Sequence, residues 1–408
     1  MKSIYKKQLA LAFVPKACAL ILSLFTVRVL LNNLGVENYG LWSVASNILT
    51  VAPYLTLGIA ASFVNYVLVA GNKGKKKIAI LFTNAVFFMA LIAVVTTIFA
   101  LLVNTSLKVS KLDNYFIIAI GVSILLSMYL CILSGIYQGN NKSHVPEYSS
   151  FFISIFFILG INLLKLKNIY EVLIFYNFVI FINLLIFGKS IFKDYFIVKI
   201  KALRFNLIKK LIIDSGGLFF AQIFGYILYS SDRVIILYFL GAENVTDYDL
   251  VMKIFSPLLL LSAFLLTPSW AYFSSIDKNK LKRFFIAFEV IFFSTFIVGI
   301  ILINFLPDLI HLLFDYKLVD INFIVYAFIA IAIQIHTQPY CYFLNAKRRL
   351  WIQAWINGGA AILNVALASL WAEKFGISGI ILATIISTIP FLIFSVFSML
   401  SFKEEIVK

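Results

Sequence analysis

Long apolar runs recur along the whole chain, and they limit its fold more than any other feature. Each run holds roughly 20 to 28 residues, enough for a helix to cross a bilayer core of about 30 Å at about 1.5 Å per residue. Of the 408 residues, 62% are hydrophobic and only 13% are charged, which is too few charges for the surface of a soluble protein. The runs do not alternate polar and apolar positions as barrel strands do. We therefore predict an all-α polytopic membrane protein.

Short polar links divide the apolar runs into about 12 transmembrane helices. The longest links are 189–212, which is basic and could touch anionic lipid headgroups, and 307–321. No link is long enough to hold a soluble domain. The predicted spans are 9–31, 41–70, 78–103, 115–138, 147–164, 169–188, 213–240, 249–274, 284–306, 322–343, 350–372 and 377–400.

The distribution of basic residues predicts the orientation of these spans. With the N-terminus in the cytoplasm, the cytoplasmic segments hold 24 of the 34 Lys and Arg residues and the opposite links hold six. The remaining four lie inside spans. This bias follows the positive-inside rule, so both termini are expected in the cytoplasm. The net charge of +16 is then a result of topology, and no nucleic-acid partner is needed to explain it.

Several further features indicate a protein that has no cofactor. Cys18, Cys131 and Cys341 lie in separate apolar runs without metal or redox spacing, so core packing explains them. The chain contains no phosphate-binding glycine-rich loop, metal-ligand cluster or polar carboxylate pair. We therefore expect no enzymatic activity.

The N-terminal run continues to Leu31, which is too long for a signal peptide. We expect an uncleaved first span.

A short motif occurs twice, half a chain apart. The sequence Leu-Gly-Val-Glu-Asn at 34–38 returns as Leu-Gly-Ala-Glu-Asn at 240–244, and Arg28 and Arg233 precede the two copies. An even number of spans between the copies gives both halves the same orientation, as in transporters with parallel repeats. The sequence therefore predicts two six-helix lobes, 1–200 and 201–408, in a V-shaped bundle with a central cavity.

Five charged residues lie at membrane depth, where they are costly unless they face a bundle interior or a wet cavity. Each has an alternative interpretation. Lys16 and Arg28 could extend to the membrane surface instead, and Lys253 could pair with Asp232. Asp232 and Arg233 are adjacent, so they point about 100° apart on a helix and should not simply neutralise each other.

The tenth span contains an unusual polar cluster, Gln-Ile-His-Thr-Gln-Pro-Tyr at 334–340. A Pro-broken segment that lines a cavity explains such a cluster, and hydrogen bonds between helices explain it equally well. His336 could exchange protons near neutral pH. Asp232 and His336 are the candidates for ion coupling, and no metal site is predicted.

Two of these segments resemble a known family. Residues 28–42, Arg-Val-Leu-Leu-Asn-Asn-Leu-Gly-Val-Glu-Asn-Tyr-Gly-Leu-Trp, resemble the signature of the polysaccharide-exporter, O-antigen flippase family. This family lies within the multidrug/oligosaccharidyl-lipid/polysaccharide exporter superfamily. Asp232-Arg233 with Leu240-Gly241 and residues 248–253 resembles the counterpart in the second half, where the interval from glycine to tyrosine is longer.

The resemblance implies transport of undecaprenyl-diphosphate-linked oligosaccharide, an O-antigen or capsule repeat unit, across the bacterial inner membrane. A proton or sodium gradient would drive alternating access, and a polysaccharide polymerase and a chain-length regulator would be further partners. A diphosphate needs positive charge along its path, which Lys16, Arg28, Arg233 and Lys253 would supply as substrate-binding residues.

Two other functions remain open at this point. A multidrug or cation antiporter of the same superfamily would favour a cavity dominated by carboxylates, whereas cations outnumber acids here. A polytopic O-antigen polymerase or membrane glycosyltransferase would need a sizeable external loop, and the 307–321 link is too short.

Overall fold

The computed structural model describes residues 2–60, 63, 64, 67, 75–107, 113–140, 142, 144–195, 205–266, 278–346 and 349–405. Within these residues the protein is helical and contains no strand. The basic 189–212 link lies partly outside them, at 196–204. The helices are α1 (Lys2–Leu49), α2 (Ala52–Leu55), α3 (Lys75–Leu107), α4 (Asn114–Gly139), α5 (His144–Leu164), α6 (Ile169–Tyr195), α7 (Phe205–Phe239), α8 (Ala242–Leu266), α9 (Lys278–Phe314), α10 (Ile324–Ala346) and α11 (Leu350–Glu405).

Single glycines make several of the links shorter than the sequence predicted. Gly35 (φ 76°) breaks α1 and Gly376 (φ 60°) breaks α11, while Gly241 (φ 99°) separates α7 from α8. Glycine adopts positive φ without a steric penalty, so the chain changes direction at one residue and needs no loop. The predicted start of the second span at residue 41 is therefore too late, because its helix begins directly after Gly35.

The number of helices agrees with the sequence. Ten of the eleven described helices are long, and the glycine breaks divide two of these, which gives twelve long helical segments. Eight described helices are long and apolar enough to cross a membrane, counting the bent ones once. The prediction of an all-α polytopic membrane protein with about 12 spans is confirmed.

The chain forms two compact units, Met1–Phe219 and Phe220–Lys408. We call them unit 1 and unit 2. The predicted lobes 1–200 and 201–408 stay a prediction.

In unit 1, α4 supplies the centre of the packing and α3 an outer surface. Ile120, Ile124, Met128, Ile132 and Ile136 of α4 recur at every fourth residue and are all buried, as expected for one face of a helix. On α3, large apolar side chains are instead exposed, as suits a helix whose outer face meets lipid. These exposed residues include Phe87, Leu91, Ile98, Phe99 and Leu102.

Several neutral polar groups inside unit 1 hydrogen-bond to one another. The Ser123 hydroxyl lies 2.6 Å from the Asn177 amide oxygen. The Ser149 hydroxyl lies 2.6 Å from the Asn183 amide oxygen, and the Asn183 amide donates back to the Ser149 carbonyl. These bonds connect α6 to α4 and α5. Among the residues of unit 1 whose side chains the structure describes, no Asp or Glu is buried.

In unit 2, two asparagines of α11 fix the alignment of that helix on α7. Asn357 donates to the Ala221 carbonyl at 3.0 Å, and Asn364 donates to the Leu228 carbonyl at 2.8 Å. Both the asparagines and their acceptors are seven residues apart, or about two helical turns. We call the parts of α11 before and after Gly376 its first and second arms. These two contacts align the first arm with α7, one turn before the charged residues of α7.

Candidate functional site

The carboxyl end of α7 and the beginning of α8 carry a buried ion pair. Arg233 donates through Nη2 and Nε to Asp249 Oδ1, at 2.7 and 3.1 Å. The two side chains are 15% and 4% exposed. The guanidinium also lies over the Tyr248 ring, with Cζ 5.3 Å from the ring centroid, a distance suited to a cation–π contact. Arg233 therefore connects α7 to α8.

Asp232, the residue before this arginine, occupies a separate buried site. Its Oδ2 accepts a hydrogen bond from the Tyr248 hydroxyl at 3.0 Å, and Thr384 Oγ1 lies 3.2 Å from both carboxylate oxygens. Asn364 donates to Thr384 Oγ1 at 2.9 Å. Asp232 is 3% exposed. Residues from α7, α8 and both arms of α11 thus meet around one carboxylate.

The charges in this cluster do not balance. Asp232 and Asp249 contribute two buried carboxylates, and Arg233 contributes one guanidinium that hydrogen-bonds to Asp249. Burying a charge without a partner is unfavourable unless it is neutralised. The Asn364 amide oxygen, in the Asp232 site, is also buried and has no hydrogen-bond partner. The set of oxygens from Asp232, Thr384 and Asn364 can accept a proton or a hard monovalent cation, as broken helices do in ion-coupled transporters.

A site for a transition metal is not indicated in the part of the chain that the structure describes. No group of three or more His, Cys, Asp or Glu side chains comes together there. The Asp232 cluster has one carboxylate and otherwise hydroxyl and amide oxygens, which are hard ligands.

Lys253 lies one turn beyond Asp249 on α8 and is half-buried. Its carbonyl accepts a hydrogen bond from Ser256. Within the described residues it forms no ion pair with Asp232, whose oxygens contact Tyr248 and Thr384. The pairing that the sequence suggested is therefore absent.

The other two predicted cations lie in unit 1 and are exposed. Lys16, next to Pro15 in α1, approaches Glu147 of α5 with Nζ and Oε1 3.9 Å apart, and the side chains are 58% and 30% exposed. Such a long, exposed contact contributes little stability. Arg28 is exposed and forms no ion pair with any residue that the structure describes. Both side chains therefore retain charge that a ligand could use.

His336 does not lie alone on α10. Its Nδ1 is 3.6 Å from Glu289 Oε2 on α9, and the side chains are 18% and 29% exposed. That separation is too long for a hydrogen bond, and Nδ1 is buried without a hydrogen-bond partner. Phe292 and Tyr340 rings flank the imidazole, with centroids 4.9 and 6.0 Å away.

Two further residues of the polar cluster on α10 form hydrogen bonds within the protein. The Ser262 hydroxyl of α8 lies 2.7 Å from the Gln338 amide oxygen. Thr337 donates to backbone carbonyls of its own helix. For these two residues, the interpretation as packing contacts applies.

Three residues of the Asp232 and Arg233 sites were missed in the sequence. Asp249 lies at the predicted start of the eighth span, where an acid suggests a membrane interface. Thr384 is a single hydroxyl in a long apolar run and gives no signal. Asn364 could have been found, because Asn357 and Asn364 are seven residues apart in the same span and so share one helix face.

A model of the family described as polysaccharide biosynthesis protein matches residues 10–276 of the chain. The chain belongs to this family. The matched region includes α1 to α8 and thus Lys16, Arg28, Asp232, Arg233 and Asp249. The resemblance seen in the sequence is confirmed.

Individual relatives agree with the family. A protein of Salmonella typhi named "Putative O-antigen transporter" is 23% identical over 391 residues, covering 89% of this chain and 88% of that protein. Among solved structures, the lipid II flippase MurJ in an inward closed conformation matches with a TM-score of 0.72, at 17% identity, over 96% of this chain and 87% of that one. An inward-facing MATE-family multidrug resistance transporter matches with a TM-score of 0.70, at 12% identity, over 95% and 96%.

These similarities settle the class of protein. The chain is a multi-pass membrane protein of the polysaccharide biosynthesis family, and it shares its fold with the solved MATE and MurJ structures. The expectation of a transporter, and not an enzyme, is confirmed by the family and the fold. A polymerase or glycosyltransferase activity is thereby set aside.

Proposed function

We propose that this protein is a flippase that moves undecaprenyl-diphosphate-linked oligosaccharide across the bacterial inner membrane, driven by a proton or sodium gradient. Both termini would lie in the cytoplasm, as the basic links indicate. The observation that carries the proposal is the separation of charges between the units. Of the charged residues predicted at membrane depth, Lys16 and Arg28 of unit 1 are exposed, whereas Asp232 of unit 2 is buried and forms no ion pair among the described residues.

The cations suit the diphosphate of such a lipid. Arg28 can form bidentate contacts with phosphate oxygens, and Lys16 can supply a point charge. A negatively charged headgroup that leaves water needs such partners, since its hydration is lost. Arg233 is already bonded to Asp249, so its part in substrate binding would be secondary. Lys253 is half-buried and remains a candidate contact.

The Asp232 cluster suits the coupling ion. A proton or sodium ion would neutralise the carboxylate, with Thr384 and Asn364 as neutral oxygen ligands. Binding of the ion would change the contacts among α7, α8 and α11, because all three contribute to the cluster. Coupling requires such a difference between the ion-bound and ion-free states. His336 with Glu289 would form a second titratable position in the same unit.

The rival function is multidrug or cation antiport, which the shared fold would also permit. A cationic drug would need an accessible carboxylate. At membrane depth, Asp249 is paired with Arg233 and Asp232 is buried, whereas Lys16 and Arg28 are exposed. This arrangement favours an anionic substrate.

The proposal is tested in vesicles that contain the purified protein and a fluorescent undecaprenyl diphosphate lipid. We expect an imposed proton or sodium gradient to accelerate movement of the lipid between leaflets. The Lys16→Ala/Arg28→Ala double variant should lose this movement at normal abundance in the membrane. Normal movement by the double variant, or export of a cationic dye in place of the lipid, would refute the proposal.

A further inference from the structure

A cavity of about 340 Å³ lies within unit 1, and Arg28 is not among the residues that line it. It is bounded by the end of α4, the beginning of α5, the backbone near Ala60 and Val64, and Phe187 of α6. Its wall is tightly built at Gly135, where a Cβ atom would collide with the Ala60 carbonyl oxygen. The volume falls in the range of pockets that bind small molecules, about 300–1,000 Å³.

The lining of this cavity combines apolar surface with several polar side chains, none of which is charged. None of the described residues that border it carries a formal charge, so a phosphate or metal ion would lack a counter-charge there. The hydroxyl and amide side chains that line the cavity are those of Ser134, Tyr137, Gln138, Ser149 and Ser150.

Unit 2 offers a contrasting cavity of about 350 Å³ between the two arms of α11. Its described lining is apolar except for Ser387, and includes Trp355, Leu363 and Phe394. The two cavities have nearly the same volume but differ in the side chains that line them. The polar side chains in the unit 1 cavity are therefore not a general property of cavities in this protein. The unit 2 cavity also supplies a matched control.

Three hydroxyls present acceptors to the unit 1 cavity. Tyr137 donates its proton to the Phe187 carbonyl. Ser149 lies in donating distance of the Asn183 amide oxygen, and Ser150 donates to the Pro146 carbonyl. With its proton engaged, each oxygen keeps lone pairs for a ligand hydroxyl.

Ser134 and Gln138 supply donors. Gln138 Nε2 donates one proton to Ser134 Oγ, at 3.1 Å. The second amide proton of Gln138 and the hydroxyl proton of Ser134 remain for a ligand. The cavity thus offers donors and acceptors together, which is what a ring with several hydroxyl groups requires.

The cavity also adjoins a candidate phosphate contact. Glu147, which approaches Lys16, belongs to the first turn of α5, between the lining residues Pro146 and Ser149. A cation and a neutral polar cavity therefore meet at the same helical turn. A diphosphate joined to a sugar presents the same order, a charged group followed by an uncharged polyol.

We propose that this cavity binds a sugar ring of the lipid-linked glycan while Lys16 contacts the diphosphate. The assignment rests on the proposed flippase function and adds to it a carbohydrate subsite in unit 1. By the predicted topology, the link between α4 and α5 is cytoplasmic, so this subsite serves to load the substrate.

The test compares two probes that differ by one sugar: undecaprenyl diphosphate, and the same lipid carrying a single N-acetylglucosamine. Binding to the purified full-length protein is measured by fluorescence quenching in detergent. We expect the wild type to bind the sugar-bearing lipid about tenfold more tightly, which corresponds to one or two neutral hydrogen bonds. The Ser134→Val/Gln138→Leu variant should lose this preference and still bind undecaprenyl diphosphate.

Two further variants separate the possible failures. Gly359→Leu reduces the apolar cavity of unit 2, where a Cβ meets open space, and should keep the preference. Lys16→Ala should weaken both lipids alike. If the wild type binds both lipids equally, or if the Ser134/Gln138 variant keeps the preference, the subsite is wrong and the flippase stands. If the wild type binds neither lipid, the flippase proposal fails and the subsite fails with it.

Discussion

Each unit contains one copy of the same short pattern, and the two arginines in it have different surroundings. In both copies an arginine near the end of a helix precedes a glycine with positive φ, Gly35 or Gly241. Arg28 is exposed and has no ion pair among the described residues. Arg233 is largely buried and is bonded to Asp249. The two copies of the repeat therefore carry arginines in different states: Arg28 is exposed, and Arg233 is buried and neutralised.

Two neighbouring positions account for the difference. The residue before the arginine is Val27 in unit 1 and Asp232 in unit 2. The residue after the buried tyrosine of the following helix is Gly40 in unit 1 and Asp249 in unit 2. Unit 2 thus has two carboxylates where unit 1 has none. One carboxylate neutralises the arginine, and the other is left for an ion.

The largest effect is expected from Arg233→Ala, which should destabilise the protein by about 3–5 kcal/mol because it removes the guanidinium that neutralises the buried Asp249 carboxylate. The double variant Arg233→Met/Asp249→Leu should recover most of that stability. Thermal unfolding in detergent measures both. An Arg233→Ala variant of normal stability would mean that the ion pair is not structural, and that both arginines serve the same purpose.

Asp232→Asn tests the other carboxylate. The amide keeps the size of the side chain and removes the charge, so gradient-driven lipid movement should fall about 100-fold, or about 2.7 kcal/mol. Binding of undecaprenyl diphosphate should be unchanged. Thr384→Ser, which keeps the hydroxyl, is the matched control and should transport normally. Equal losses of binding and transport in Asp232→Asn would make Asp232 a substrate contact or a structural group.

Arg28 should behave in the opposite way. Arg28→Ala should weaken binding of undecaprenyl diphosphate by about 2 kcal/mol, or roughly 30-fold, because one charge-assisted contact is lost. Arg28→Lys should be weakened less, since the charge remains while the bidentate fork is lost. Thermal stability should not change in either variant. A loss of stability without a loss of affinity would place Arg28 in the same structural role as Arg233.

The fold was largely predictable from sequence for a physical reason. Each span must satisfy its own backbone hydrogen bonds in lipid, so the length of an apolar run directly indicates a helix. The links were less predictable, because a single glycine such as Gly376 can replace a loop. Apolar length alone does not reveal that.

The candidate site was only partly predictable. Asp232 and Arg233 stood out because charges are rare at membrane depth. Their partners did not, since Asp249 resembles an interfacial acid and Thr384 is an ordinary hydroxyl in an apolar helix. The surroundings of Asp232 and Arg233 depend on Thr384 and Asp249, which lie 152 and 16 positions away in the sequence. A periodic pattern in one helix carries no information about such contacts.

The smallest effect concerns His336 and Glu289, which extend the contrast because this pair is more buried than the Lys16–Glu147 pair of unit 1. The 3.6 Å separation closes to a hydrogen bond with a small shift of either side chain, so the two groups should act together in transport. His336→Gln and Glu289→Gln should each slow gradient-driven movement, and the double variant should be no slower than the worse single one. The coupling expected from this double-mutant cycle is about 1 kcal/mol, near fivefold in rate. Glu171→Gln, at an exposed glutamate of α6, is the control and should add independently to His336→Gln. Additive effects in the His336/Glu289 cycle would mean that the two residues act separately, and that Asp232 alone carries the coupling in unit 2.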